Sequence, residues 1–158
     1  ELALGGSLER FPVGELDPAD VTLEIAAAHW VARAAVGDLA GDAAPAWLAL
    51  GLAYHQEARL KGLDPAPFQA LAEEGGQIPI TFWGASPGRN PPENIARAQS
   101  MVEYLIERGG PERFRDFLRA NRASSLTEAV ERVYGVQASD IQESWTVFLR
   151  TRYGGLSE

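Results

Sequence analysis

The stretch "VTLEIAAAHWVARA", Val21 to Ala34, carries one of only two histidines in a chain of 158 residues. Its apolar and alanine-rich spacing runs without a break to Val36, and Gly37 stands as a C-terminal stop. It therefore reads as a helix over Val21–Val36, with Asp17 or Asp20 as its N-cap. The stretch is apolar nearly all round, so the helix is expected to sit centrally and buried. A single imidazole in such a segment needs a reason. His29 is a metal ligand, a base, or a hydrogen-bonded core residue, and a lone histidine on an apolar face is ordinarily the last. A helical zinc site places two ligands at i and i+4, on one face. The residue four before His29 is Ile25, which has no lone pair to offer, and the residue four after it is Arg33.

Outward from this helix, the punctuation is regular. Residues 1–19 are broken by Gly5, Gly6, Pro12, Gly14 and Pro18 and read as an irregular N-terminal segment. The chain opens on Glu1 rather than Met, so its natural start is expected to lie elsewhere or to have been trimmed. "GDLAGDAA", 37–44, reads as a loop. "PAWLALGLAYHQEARLKG" reads as a second helix that Pro45 opens and Gly62 closes. "DPAPFQALAEEGG" is a short helix between breakers. "QIPITFWGASPGRNPP", 77–92, reads as a long irregular connection, with an extended piece at Ile78–Phe82. Helices are expected at about 92–108, 111–121, 125–134 and 138–152. Their starts are Asn90 or Pro91, Pro111 with Glu112, Ser124 or Ser125 with Glu128, and Ser139 with Gln142. The fold class is mostly α with little or no sheet. A single helical domain spans 20–153, and 154–158 is a tail.

Composition narrows the function. The formal charge is −8, and Lys61 is the sole lysine. No basic stripe is present to neutralise phosphates, which argues against nucleic acid as a partner and against an anionic membrane surface. The absence of cysteine excludes disulfides, thiolate metal sites and cysteine nucleophiles. No apolar run reaches transmembrane length, so no direct membrane insertion is expected. The second histidine, His55, stands beside Gln56 and Glu57 and reads as a boundary residue. A site built from His29, His55 and Glu24 or Glu57 has no recognised spacing. Ser100 has no histidine within sequence reach to form a triad.

The order of segments carries a resemblance. "LEIAAAHWV", "PAWLALGLAYHQE" (Pro45–Glu57), "ARAQSMVEYLIERGGPERFRDFLRA" (Ala96–Ala120) and "SLTEAVERVYGVQASDIQESWTVFL" (Ser125–Leu149) follow one another along the chain. Together they resemble the gluzincin-type metallopeptidase-like domains of the peptidase-MA-like superfamily. Those domains carry L-x-H-E-x-x-H, then P-x-W-L-x-E-G-x-A-x-Y, then a-Y-a-q-S before a "veYLierfG" helix, and a closing W-x-x-(F/Y)-L. The resemblance implies a thermolysin-like helical C-terminal subdomain built around a former active-site helix. Leu23 and His29 match the leucine and the second histidine of the first motif. The first ligand position then falls on Ile25 and the general base on Ala26. The third ligand falls on Leu50, and the tyrosine of the later motif falls on Arg97. Trp47, Leu48, Gly51, Ala53, Tyr54, Gln99 and Ser100 match scaffold positions.

What the resemblance implies is a vestigial site at Ile25, Ala26, His29, Leu50 and Arg97, with no catalytic residue, no metal and no cofactor. A catalytic zinc needs three protein ligands and a base beside its water, and Ile25, Ala26 and Leu50 supply none of these. The expected function is that of a catalytically inactive peptidase-like module with a protein partner. Phe82 and Trp83 on the 77–92 loop are its candidate contact surface. The alternatives are an active hydrolase with a different site, using His55, Glu57 and Ser100, and a small-molecule binder using the remnant pocket. About twenty residues precede Val21, too few for the β-sheet subdomain that such domains carry there. That layer is expected to be reduced or supplied by another chain. The family's habit points to an extracytoplasmic or membrane-attached parent protein.

Overall fold

A computed structural model describes residues 22–41, 44–75 and 92–155. Among these residues the chain is mostly helical, with six helices and no strand. They are α1 (Leu23–Ala40), α2 (Ala46–Lys61), α3 (Ala66–Glu74), α4 (Pro92–Ala123), α5 (Leu126–Tyr134) and α6 (Ala138–Tyr153). The expectations for 1–19, for the 77–91 part of the loop and for Phe82 and Trp83 lie outside the described residues.

α4 is the axis of the molecule. It packs against α1, α2, α3, α5 and α6. Its apolar positions recur at helical spacing, and Met101, Val102, Leu105 and Phe117 are wholly buried. The sequence reads this region as two helices divided at Gly109–Gly110. The division is real, but it is a kink and not a loop. Gly110 stands at φ 77° and ψ 166°, and Pro111 follows it. A left-handed φ at Gly110 costs little without a Cβ, while Pro111 lacks the N–H that would continue the ladder. The limb before the kink meets α2 and α3, and Arg122 on the limb after it reaches back to α1.

Three polar side chains drawn into this core, Trp145, Ser100 and Tyr134, are partnered, while the Asn121 amide nitrogen is not. The Trp145 indole N–H donates to Ser100 Oγ at 3.3 Å, and Ser100 donates to the Arg97 carbonyl at 3.2 Å. Tyr134 donates its hydroxyl to the Leu105 carbonyl at 3.2 Å. Such closure is what lets a helical core hold tryptophan, tyrosine and serine without a desolvation penalty.

Three helix boundaries differ from the sequence reading. α1 is capped by Thr22, whose hydroxyl accepts from the Ile25 N–H at 3.3 Å, and not by an aspartate. It also runs through Gly37 to Ala40, and Gly41 at φ 73° is the true stop. Gly37 is exposed, and nothing lies within contact of the Cβ it lacks, so the helix passes through it. At α6, Gln137 occupies the N-cap without a side-chain bond, and Ser139 is inside the helix. The capping box of Ser125 with Glu128 is present as expected.

α1 is not central. It buries one stripe, Ile25, His29, Ala32, Val36 and Ala40, against α2 and α4. Leu23 and Trp30 are 86% and 58% exposed. The all-round apolar pattern came from alanines, which sit on either side of a helix at little cost.

Candidate functional site

α1 and α2 pack side by side as an antiparallel hairpin. His29 lies eleven residues before the end of α1, and Glu57 lies eleven residues after the start of α2. An antiparallel pair brings such positions to one level. His29 Nε2 and Glu57 Oε2 stand 2.5 Å apart, and both side chains are buried. The carboxylate can only accept, so Nε2 carries the proton and donates it. The Tyr54 ring packs edge-on against the imidazole, with ring centroids 4.8 Å apart and planes at 76°.

One turn further along α2, the ammonium of Lys61 reaches Glu57 Oε1 at 2.5 Å. Glu57 therefore holds one neighbour on each oxygen. Burial alone would push its carboxyl up. The hydrogen bonds and charges of His29 and Lys61 outweigh that, and the group titrates below the ordinary glutamate range.

The other positions that the resemblance marks do not all converge here. Ile25 shares the buried stripe of α1 with His29, and Ala26 is half-buried beside it. Leu50 lies seven residues before Glu57, about 10 Å along the helix axis. By the hairpin's symmetry it stands level with Val36, in the apolar core. Arg97 belongs to α4 and bonds Glu74 of α3 at 2.8 Å and Asn94 at 3.3 Å. Among the described residues no three His, Asp or Glu side chains come together at metal-holding distance.

The His55, Glu57 and Ser100 combination does not assemble either. His55 follows Tyr54 on α2 and is half-buried, two residues from Glu57 and so on another face of the helix. Burial lowers its pKa, Glu103 opposes that, and Arg59 and Arg152 reinforce it. Ser100 is committed to Trp145 and to its own helix.

A cleft of about 170 Å³ opens beside Glu57 and Lys61, between α2, α3 and the first limb of α4. Tyr54, Glu57 and Lys61 form one wall, Phe68 a second, and Ile95 and Gln99 a third. The sequence reading named Glu57 only among loose alternatives, gave Lys61 no role, and expected a cleft between the second helix and the 77–92 loop, which lies largely outside the described residues. Counting outward from the break between the two helices is the signal that could have found Glu57.

With this geometry established, comparison with protein-family models, curated proteins and solved structures gives no match. Among the described residues no helix is long and apolar enough to cross a membrane.

Proposed function

We propose that this chain is a non-catalytic binding module, a degenerate relative of the gluzincin-type metallopeptidase-like domains in which the former active-site helix serves as scaffold. One observation carries the reading. The imidazole of His29 is bound to Glu57, and Glu57 is bound in turn to Lys61. A metal at this level would meet two side-chain ligands and would have to displace a proton and an ammonium. The residues one turn to either side of His29 on α1 are Ile25 and Arg33, so a third imidazole or carboxylate ligand is not offered there. The motif order along the chain and the α1–α2 hairpin support the kinship. The thermolysin-like subdomain, the protein partner and the extracytoplasmic or membrane-attached parent belong to the same proposal.

The test is metal analysis of the purified chain together with hydrolysis assays on unfolded protein and peptide pools. The expected result is no stoichiometric zinc and no metal-dependent cleavage. One zinc per chain that disappears with His29→Ala, or cleavage abolished by a chelator, would overturn it.

A further inference from the structure

Gln99 is 5% exposed and lines the cleft from α4. Among the described residues no hydrogen bond reaches its carboxamide. The side chain is fixed inside the fold, while its amide meets only what enters the cleft. We propose that the cleft between α2, α3 and the first limb of α4 binds a small uncharged carboxamide carried on an apolar group of about ring size.

The chemistry of the walls selects that class. A glutamine amide presents N–H donors and a carbonyl acceptor side by side. A ligand that satisfies both at once must itself carry an acceptor beside a donor, which is a carboxamide or a peptide group. A carboxylate would leave the glutamine carbonyl without a donor, and an ammonium would leave its N–H groups without an acceptor. The local charges agree. Glu57 and Lys61 neutralise each other, and Asp64 at the rim accepts from the Ala66 N–H at 3.0 Å. Among the described residues that line the cleft, the one cation, Lys61, is paired with Glu57 and does not reward an anion. The remaining walls, Phe68 and Ile95 above all, are apolar. The size fits too. A cavity of about 150 Å³ is enough to take up benzene, and this cleft is slightly larger and open on one side.

The inference rests on the binding-module reading, and one experiment separates the two. Benzamide, benzoate and benzylammonium are titrated into the isotope-labelled full chain, followed by nuclear magnetic resonance. Benzamide is expected to shift the backbone signals of Phe68 and Ile95 and the side-chain amide signal of Gln99, and to saturate. The two charged analogues should bind about tenfold more weakly, the loss expected when one amide hydrogen bond goes unmet. Gln99→Leu should erase the preference while leaving the rest of the spectrum in place. If that variant fails to fold, the ranking of the three ligands on the unaltered chain decides alone. Equal binding of a charged analogue, shifts mapping elsewhere, or a preference that survives Gln99→Leu would overturn the site and leave the non-catalytic reading untouched. Conversion of bound benzamide to benzoate would support the site and overturn the non-catalytic reading.

Discussion

Gly51 of α2 lies against the backbone of Ala98 in α4 so closely that a Cβ at Gly51 would stand 2.3 Å from the Ala98 carbonyl oxygen. The second obstacle is Val102, whose Cγ2 would be 2.8 Å away. The absence of a side chain thus sets how near the two helices approach, and that approach positions the cleft wall. The contact is with backbone, which cannot rotate aside. Gly51→Ala is expected to cost about 3 kcal/mol, the upper range for overpacking, despite the better helix propensity of alanine. Urea unfolding checks this, and a stability equal to that of the parent chain would contradict the close crossing.

His29 and Glu57 should be strongly coupled. Removing Glu57 leaves the buried imidazole unmet, and removing His29 leaves Glu57 Oε2 without its donor while Lys61 keeps Oε1, whereas removing both takes the buried hydrogen bond away whole. His29→Leu and Glu57→Leu are each expected to destabilise by about 2 kcal/mol or more, and the double variant by less than their sum. A double-mutant cycle on unfolding free energies measures the difference. Simple additivity would mean that the hydrogen bond contributes nothing.

The register of the hairpin can be tested with zinc. Ile25→His combined with Lys61→Met leaves Glu57 free of its ammonium and puts a second imidazole one turn from His29. This variant should gain thermal stability when zinc is added, about 2.7 kcal/mol at a hundredfold excess over its dissociation constant. Ile25→His combined with Leu50→Glu should show no such gain, because Leu50 stands two turns away. The reverse ranking in thermal melts would place the third ligand position at Leu50.

Two groups should shape the response to acid, in separate windows. The pKa of His55 is lowered in the fold, so the unfolded chain takes up its proton first as pH drops below about 6.5. Stability is expected to fall from there until the folded group titrates, and His55→Gln should flatten that slope. Glu57 is also lowered, so its contribution is complete above about pH 4.3 and is lost as pH falls through its lower folded value. Glu57→Gln should remove that second loss. Unfolding free energies at pH 7.5, 5.5 and 3.5 separate the two.

The helices were legible where local chemistry settles them. The Ser125–Glu128 capping box, Gly62 and Gly135 each announce a boundary within a few residues of it. Gly37 misled because the backbone stays helical there and takes a positive φ only at Gly41. The polar centre was harder to see. His29 could be weighed against its own helical neighbours, Ile25 and Arg33, but its partner lies 28 residues away on another helix. That pairing depends on where the turn falls, and a shift of one turn would have put another residue opposite the imidazole. Gln99 looked like a scaffold position, since only the packing of three helices leaves its amide at an open cleft.

Arg122 donates to the Asp38 carbonyl at 2.9 Å and so closes the end of α1 from a position 84 residues along the chain. The hairpin of α1 and α2 can form through neighbours in sequence, but this closure waits until the whole of α4 has arrived. Contacts of such long separation are slow to be gained, because the intervening loop must first be ordered. Arg122→Ala should therefore leave the refolding rate nearly unchanged and raise the unfolding rate, the signature of a contact formed after the barrier. A chevron whose refolding limb slows instead would put Arg122 in the nucleus. The last turn of α1 is then held by a clasp that sets how long the fold stays shut more than how readily it closes.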